Sequence, residues 1–435
     1  MVKASVIFDD NPPDEDILYL KPGENLYTGE RYLQSSFGDP TSLEIDILNL
    51  ASSVYACDIA FKRGKRENLI RHFELTIPVV NLAVFNEILG DLSYALYRLS
   101  HDAWNIRFIQ RDGRTEATQA WPDNTPGKVL LFSGGLDSFA AAVKYGSEER
   151  NVSLVSHVTA NQVVASSQKS LYEFLQKIFP KIFKRTEVRV NGRDRSAYGF
   201  PFPRDQEREE TQRTRSFLFL SLAGLVARRR GIHDIVVIAE NGQMAIHLPL
   251  SAARISAFST HTAHPEFVHV MGKILSKLLN HSIQIENPFL YQTKAEVVET
   301  IAKEYQDALT QTVSCWKASR VSGGKNHYGF CIPCIVRRIS IETHGIVIPE
   351  YSRDIFKEDL AAVGPDDDGK SNLLELAEFI QLFSSDANQA QLEDEYPELI
   401  NVQIDAQKAV AMYRRFAAEA VTVFQRYPQL SDILQ

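Results

Sequence analysis

The chain has 435 residues, 44% of them hydrophobic and 23% charged, which excludes a disordered chain and leaves apolar material for two or three packed domains. A formal net charge of -8 excludes a protein that coats nucleic acid by bulk electrostatics, and no nucleic-acid partner is expected. Four cysteines are too few for a disulfide framework at this length.

The first residues, Met1 to Tyr19, carry Asp9, Asp10, Asp14, Glu15 and Asp16 where a secretory signal needs a basic start and an apolar run. No stretch approaches membrane-spanning length, so the expected location is cytoplasmic, with no membrane association. Residues 1–125 mix extended signals (Ser5 to Phe8, Phe73 to Ile77) with helical ones (Leu43 to Ala56, Val84 to Ser100), as expected of an N-terminal α+β accessory domain. The loop-forming run Trp121-Pro122-Asp123-Asn124-Thr125-Pro126-Gly127 marks its end. From Lys128 onward, short β-rich runs alternate with long helical patterns. Val129 to Phe132 precedes Ser138 to Tyr145, Leu154 to Val158 precedes Val164 to Phe179, and Glu187 to Val190 precedes Thr211 to Arg230. Ile235 to Ala239, His264 to Leu279, Ile283 to Glu286 and Lys294 to Tyr305 continue the series. This alternation predicts an α/β fold, a doubly wound parallel sheet, over residues 126–348. Residues 349–435 read as a helical region, with helices over Asn372 to Phe383 and Gln403 to Phe424. Between core and tail, Asp366 to Asp368 lacks calcium-loop spacing and reads as a turn that caps the next helix.

The most informative segment is Ser133-Gly134-Gly135-Leu136-Asp137-Ser138, set between the apolar run Lys128 to Phe132 and a helix start at Phe139. Two glycines at a strand-to-helix turn let the backbone approach a ligand, and the amides of a helix start favour an anion. Ser133 and Ser138 add hydroxyl donors, and Asp137 is a candidate ligand for Mg2+ between phosphates. No Gly-Lys-Ser/Thr follows, so this is not a Walker loop. The hexapeptide resembles the PP-loop signature, whose families cleave ATP between the α and β phosphates, hold the pyrophosphate in this turn, and leave an adenylated oxygen. The resemblance implies ATP binding by Ser133, Gly134, Gly135, Leu136, Asp137 and Ser138 and a fold of the adenine nucleotide alpha hydrolase type.

A second cluster is Cys315 with Cys331-Ile332-Pro333-Cys334. A Cys-x-x-Cys pair presents two thiolates to one tetrahedral ion, and a third thiolate from upstream supplies most of a Zn2+ site. His327 is the candidate fourth ligand.

PP-loop, then Asn287-Pro288-Phe289-Leu290-Tyr291-Gln292-Thr293-Lys294-Ala295-Glu296, then the cysteine cluster, in that order, resembles the QueC family of 7-cyano-7-deazaguanine synthases. The resemblance covers roughly Lys128 to Thr343 and extends to the helix led by Arg215, which it makes a further candidate for ATP binding. It singles out Lys294, in the family's Thr-Lys-x-Glu helix start, as a catalytic candidate beside Asp137, Ser133 and Ser138. Two departures stand out. Tyr328 occupies the place of the first knuckle cysteine, so the fourth zinc ligand is either His327 or missing; and Ser156-His157-Val158-Thr159-Ala160-Asn161 replaces the family's aromatic-Gly-Gln-Arg-His stretch. The extra regions at both ends, with Glu240-Asn241-Gly242 and Ser259-Thr260-His261-Thr262-Ala263-His264-Pro265, look like the longer, defence-associated branch that includes QatC of the Qat antiphage system.

What the resemblance implies is an AMP-forming ligase. A 7-carboxy-7-deazaguanine-like acid is adenylated and passed to an amine, ammonia in the biosynthetic enzymes and a partner-protein amine in the defence-type reading. A non-catalytic ATP-binding scaffold is the alternative of another class. Glu240, Asn241, His261 and His264 are candidate substrate contacts, against the plainer reading of turn and cap residues. Arg254 belongs to the same group. Residues 185–230 contain eleven arginines and no lysine against six acidic residues, read mainly as a solvated helical face. The apolar stripe of Gln403 to Phe424 reads as packing against the protein's own core, with a partner contact as the alternative.

Overall fold

In the computed structural model the described residues are 2–8, 16–64, 70–113, 126–148, 151–158, 161–232, 235–250, 261–315, 318, 321, 325–348 and 351–434. Most of the boundary run before Gly127, the segment carrying Arg254, Ser259 and Thr260, and residues Thr159 and Ala160 lie outside them.

The strands are β1 (Val2–Val6), β2 (Leu18–Leu20), β3 (Leu26–Tyr27), β4 (His72–Val79), β5 (Ala103–Gln110), β6 (Lys128–Leu131), β7 (Val152–His157), β8 (Phe183–Val188), β9 (Asn191–Gly192), β10 (Ile235–Val237) and β11 (Gln284–Glu286). The alternation after Lys128 becomes a five-stranded sheet in the order β11-β10-β6-β7-β8, parallel at every pairing. Side-chain alternation splits β6 between two cores: Val129 and Leu131 face one, Leu130 and Phe132 the other. Both faces are therefore covered, as a parallel sheet requires. From β6 the chain winds one way through β7 and β8 and then returns to the other side for β10 and β11. This places the topological switch point between the carboxyl ends of β6 and β10, where open α/β sheets bind their ligands.

The N-terminal region holds a second sheet, β2-β1-β4-β5, whose four strands are also parallel throughout. Strand β5 went unread in the sequence, although Trp104, Ile106 and Phe108 are buried and alternate with exposed Asn105 and Arg107. Between the two sheets lie the helices Ser42–Ala60 and Leu89–Ser100, packed on the helices Arg215–Arg230 and Pro265–Leu279. One continuous apolar core runs from Leu75 and Val54 to Leu222 and Met271. Polar contacts reinforce the junction: Asp58 accepts the Thr214 amide at 2.8 Å and its hydroxyl at 3.0 Å, at the start of the arginine-led helix. At that helix's other end, Arg229 pairs with Glu44 at 2.6 Å. Arg213 and Arg228 are buried in the same contact, so much of the arginine-rich stretch joins the two regions and is not a solvated face.

After residue 350 the described residues form helices and turns without a strand. Asp367 caps Asp368–Ser384 by accepting the Lys370 amide at 2.9 Å, as expected of the acidic turn. The helix Gln389–Glu395 was not anticipated. In Ala406–Phe424, Ala409, Met412, Tyr413, Phe416, Ala420 and Phe424 are buried against Ile335, Ile339, Ile246 and the neighbouring C-terminal helices. The stripe is covered by the protein's own core. No helix among the described residues is long and apolar enough to cross a membrane.

Candidate active site

The Ser133–Ser138 turn leaves β6 at the switch point. Gly134 has φ +79°, and a Cβ there would meet Ser167 Oγ at 3.0 Å, so both conformation and space call for glycine. The turn is tied down from two sides: Ser167 Oγ donates to the Gly134 carbonyl at 2.8 Å, and the Val313 amide donates to the same oxygen at 3.0 Å. Gln168 Nε2 donates to the Ser133 carbonyl at 3.3 Å. Ser133 and Ser138 hydroxyls lie 3.2 Å apart across the turn. The first helical bond of Leu136–Glu148 runs from the Phe139 amide to Gly135, which leaves the amides of Leu136, Asp137 and Ser138 ahead of the helical ladder, the arrangement that binds anions. Leu136 itself is a core side chain, so it can serve a ligand only through its backbone.

Asp137 is buried, and its Oδ2 accepts from Lys294 Nζ at 2.7 Å and from Asn241 Nδ2 at 3.2 Å. Lys294 arrives at the start of the helix Lys294–Ala302, whose first turn is fixed by the Thr293–Glu296 capping box. Gln243 Oε1 holds the Lys294 amide at 2.9 Å. Asn241 caps the short helix Gly242–Ile246 after β10 and also donates to Glu240 Oε1 at 3.1 Å, so it bridges the two acids. Glu240 is locked by Asn287, which accepts its amide at 3.2 Å and donates to its carbonyl at 2.8 Å. Burial, then the adjacent Asp137 carboxylate, raise the Glu240 carboxyl well above the usual range, against the opposing pull of Lys294. Asp137 Oδ1 is buried and meets no N–H or hydroxyl donor among the described residues, while the raised Glu240 carboxyl hydrogen-bonds to the Asp137 side chain. Two adjacent carboxyl groups fit Mg2+, which takes one or two protein carboxylates plus phosphate oxygens.

Other expected residues stand apart from this constellation. Arg215 is exposed, over the Phe219 ring at 5.6 Å and close enough to His157 to act on it electrostatically, so it sits beside the end of β7. His264 caps Pro265–Leu279, accepting the Glu266 amide at 3.3 Å. His261 packs among His101, His247 and His264, with ring centroids 5.4, 6.3 and 5.1 Å away. The helix Gly242–Ile246, capped by Asn241 at one end and by His247 at the other, links that histidine group to the acid cluster. The residues that sequence reasoning missed are Ser167, Gln168, Gln243 and Asn287, ordinary polar residues whose role depends on which strands become neighbours.

Cys315, Cys331 and Cys334 come together with their sulfurs all within 4.8 Å of one another and buried. The contact with the Cys315 sulfur, with burial, pushes the Cys331 thiol up to about 12 against a lowering contact with Cys334; a cation among the sulfurs favours thiolates, and three such sulfurs fit Zn2+. His327 is not part of that group. It is fully buried, and its Nε2 accepts the Ser314 amide at 3.1 Å, which turns this nitrogen to a backbone role.

Residues 127–345 match the family described as "QueC: Queuosine biosynthesis protein QueC". The chain belongs to the QueC family. The chain is also 24% identical over 235 residues to the 7-cyano-7-deazaguanine synthase 1 of Mesorhizobium japonicum (strain LMG 29417 / CECT 9101 / MAFF 303099), covering 52% of this chain and 93% of that protein. The turn, the acid cluster and the thiol triad all fall inside the QueC-matched span.

Proposed function

We propose that the chain is an ATP-dependent, AMP-forming carbon–nitrogen ligase of the cytoplasm that adenylates a 7-carboxy-7-deazaguanine-like acid and transfers it to an amine. The observation that carries this reading is the convergence of Asp137, Lys294, Asn241 and Glu240 on the phosphate turn at the switch point. In the first half-reaction an oxygen of the substrate carboxylate attacks the α phosphorus of ATP, and the bond to pyrophosphate breaks. The amides of Leu136, Asp137 and Ser138, with the Ser133 and Ser138 hydroxyls, hold the departing pyrophosphate, and Lys294 neutralises its charge. Asp137, with Glu240 beside it, would hold Mg2+, which when bound would supply further neutralisation of the phosphates. In the second half-reaction the amine nitrogen attacks the acyl carbon, AMP departs with the bonding pair, and the nitrogen loses a proton. A non-catalytic scaffold would have no use for a lysine–aspartate pair buried behind the phosphate turn. The substrate-contact roles of Glu240 and Asn241 belong to this reading, as do Zn2+ on Cys315, Cys331 and Cys334 and a division at 1–125, 126–348 and 349–435.

The acceptor we propose is an amine on a partner protein, in the antiphage role of the longer QatC-like branch. Its support is that a domain matching nearly the whole of a synthase is here carried between two further regions. Ammonia, leading to the nitrile, is the second reading, favoured by the name of that similar protein. Co-expression with neighbouring gene products followed by intact-protein mass spectrometry separates them. A partner that gains the 7-deazaguanine acyl group, less one water, only when Asp137 is intact supports the first; conversion of acid and ammonia to nitrile beside an unmodified partner overturns it.

A further inference from the structure

The helix Ala406–Phe424 meets the start of the helix that carries Lys294, and it does so through two polar side chains one turn apart. Arg415 donates to Glu296 Oε1 at 2.7 Å and to the Tyr291 carbonyl at 2.9 Å. Glu419 accepts the Thr293 hydroxyl at 2.7 Å. Thr293 and Glu296 are the two halves of the capping box: the Thr293 hydroxyl accepts the Glu296 amide at 3.1 Å, and Glu296 Oε2 accepts the Thr293 amide at 2.8 Å. A hydroxyl that donates to Glu419 can turn a lone pair only to the helix amide, so Glu419 fixes the rotor in its capping orientation. Arg415 likewise holds the Glu296 carboxylate where it can receive the Thr293 amide. Each half of the box is gripped from the same outside helix.

The same helix also supports the second element behind the acid cluster. Tyr413 receives the Leu248 amide at 3.3 Å and donates to the Gln243 carbonyl at 3.4 Å, and Met412 lies against Gly242. Gln243 in turn holds the Lys294 amide. Glu419 is half-buried, its Oε2 has no hydrogen-bond partner among the described residues, and burial pushes its carboxyl up to about 7 with Glu296 adding to the rise. Holding a carboxyl there with one oxygen unpaired costs free energy, and the bond to Thr293 offsets part of it.

We propose that Arg415 and Glu419 are positioning residues for Lys294, and that the C-terminal helix is thereby a working part of the active site. The proposal rests on the reading of Lys294 as the phosphate-facing cation. Loss of either contact frees the capping box, lets the first turn of Lys294–Ala302 fray, and gives Lys294 Nζ access to solvent.

The test is the rate of Lys294 acetylation by limiting acetic anhydride in the full-length protein, read peptide by peptide by mass spectrometry, with exposed Lys169 as internal reference. Arg415→Ala and Glu419→Ala are each expected to raise Lys294 labelling about fivefold relative to Lys169, the factor that follows from loss of one cap contact. Glu419→Gln, which still accepts from Thr293, should restore protection. Arg415 is partly exposed, so Arg415→Ala carries the test if Glu419→Ala does not fold. Unchanged Lys294 labelling in Arg415→Ala, or failure of Glu419→Gln to protect where Glu419→Ala exposes, overturns the positioning role. Labelling that follows expectation while neither wild type nor variants form AMP from ATP would overturn the proposed reaction and leave the clamp standing.

Discussion

Lys294 Nζ lies 2.7 Å from Asp137 Oδ2, although 157 residues separate them along the chain. Both side chains are buried, so the pair is a charge in a protein interior balanced by one partner. Removing only one charge leaves the other without that partner.

Asp137→Asn is therefore expected to lower AMP formation by at least about 100-fold, through loss of charge organisation in the transition state. It should also lower unfolding stability, by at most roughly 3 kcal/mol, because Lys294 loses the carboxylate it bonds and Glu240 is the acid left beside it. The double variant Asp137→Asn/Lys294→Met should regain most of the stability and none of the activity. Urea unfolding and a pyrophosphate-release assay measure the two effects. Full activity in Asp137→Asn would remove the turn from the chemistry.

The thiol triad predicts one Zn2+ per chain with ligands from Cys315, Cys331 and Cys334. Cys331→Ser should lose the metal and unfold at lower temperature, since structural zinc contributes directly to folding. His327→Gln should keep close to one equivalent, because the wild-type ring already accepts the Ser314 amide. Elemental analysis of the purified variants decides it; loss of zinc on changing His327 alone would make that histidine the fourth ligand.

The histidine group gives stability a pH dependence. Burial, then neighbouring charges such as His264 and Arg98, lowers His261 to about 2, and burial with Arg98 lowers His264 to about 4. Among the described residues, His101, His247, Arg213 and Glu266 are further titratable groups around them. The unfolded chain takes up these protons near pH 6.5 and the folded chain does not, so stability is full above that value and falls as pH drops toward the folded values. Between pH 7.5 and 5.5 the two groups together account for roughly 3 kcal/mol. His264→Asn, which keeps a cap acceptor, should flatten the profile; an equal slope in that variant would show that other groups set it.

Much of this site was legible in the sequence, and what was not has a physical reason. Asp137 and both serines stood in a local pattern, strand then glycine turn then helix, which needs no knowledge of distant neighbours. Lys294 was visible only through the family's Thr-Lys-x-Glu start, and its pairing with Asp137 follows from the helix Lys294–Ala302 packing against Leu136–Glu148. Gln243, Ser167 and Gln168 carry no signal of their own, because a polar residue becomes a brace only when packing brings a turn against it. The arginine-rich stretch misled for a similar reason: periodicity shows a charged face, not that another region covers it. His327 was one candidate for the fourth ligand by its spacing; its Nε2 accepts the Ser314 amide, and the three sulfurs group without it.

The central claim is cleavage of ATP between its α and β phosphates on behalf of a deazapurine acid. Purified full-length protein should be incubated with ATP, Mg2+ and 7-carboxy-7-deazaguanine, and its products separated by ion-exchange chromatography. The account predicts AMP and pyrophosphate in equal amounts, dependent on the acid and absent in Asp137→Asn. ADP with inorganic phosphate, or AMP release indifferent to the acid, would contradict it.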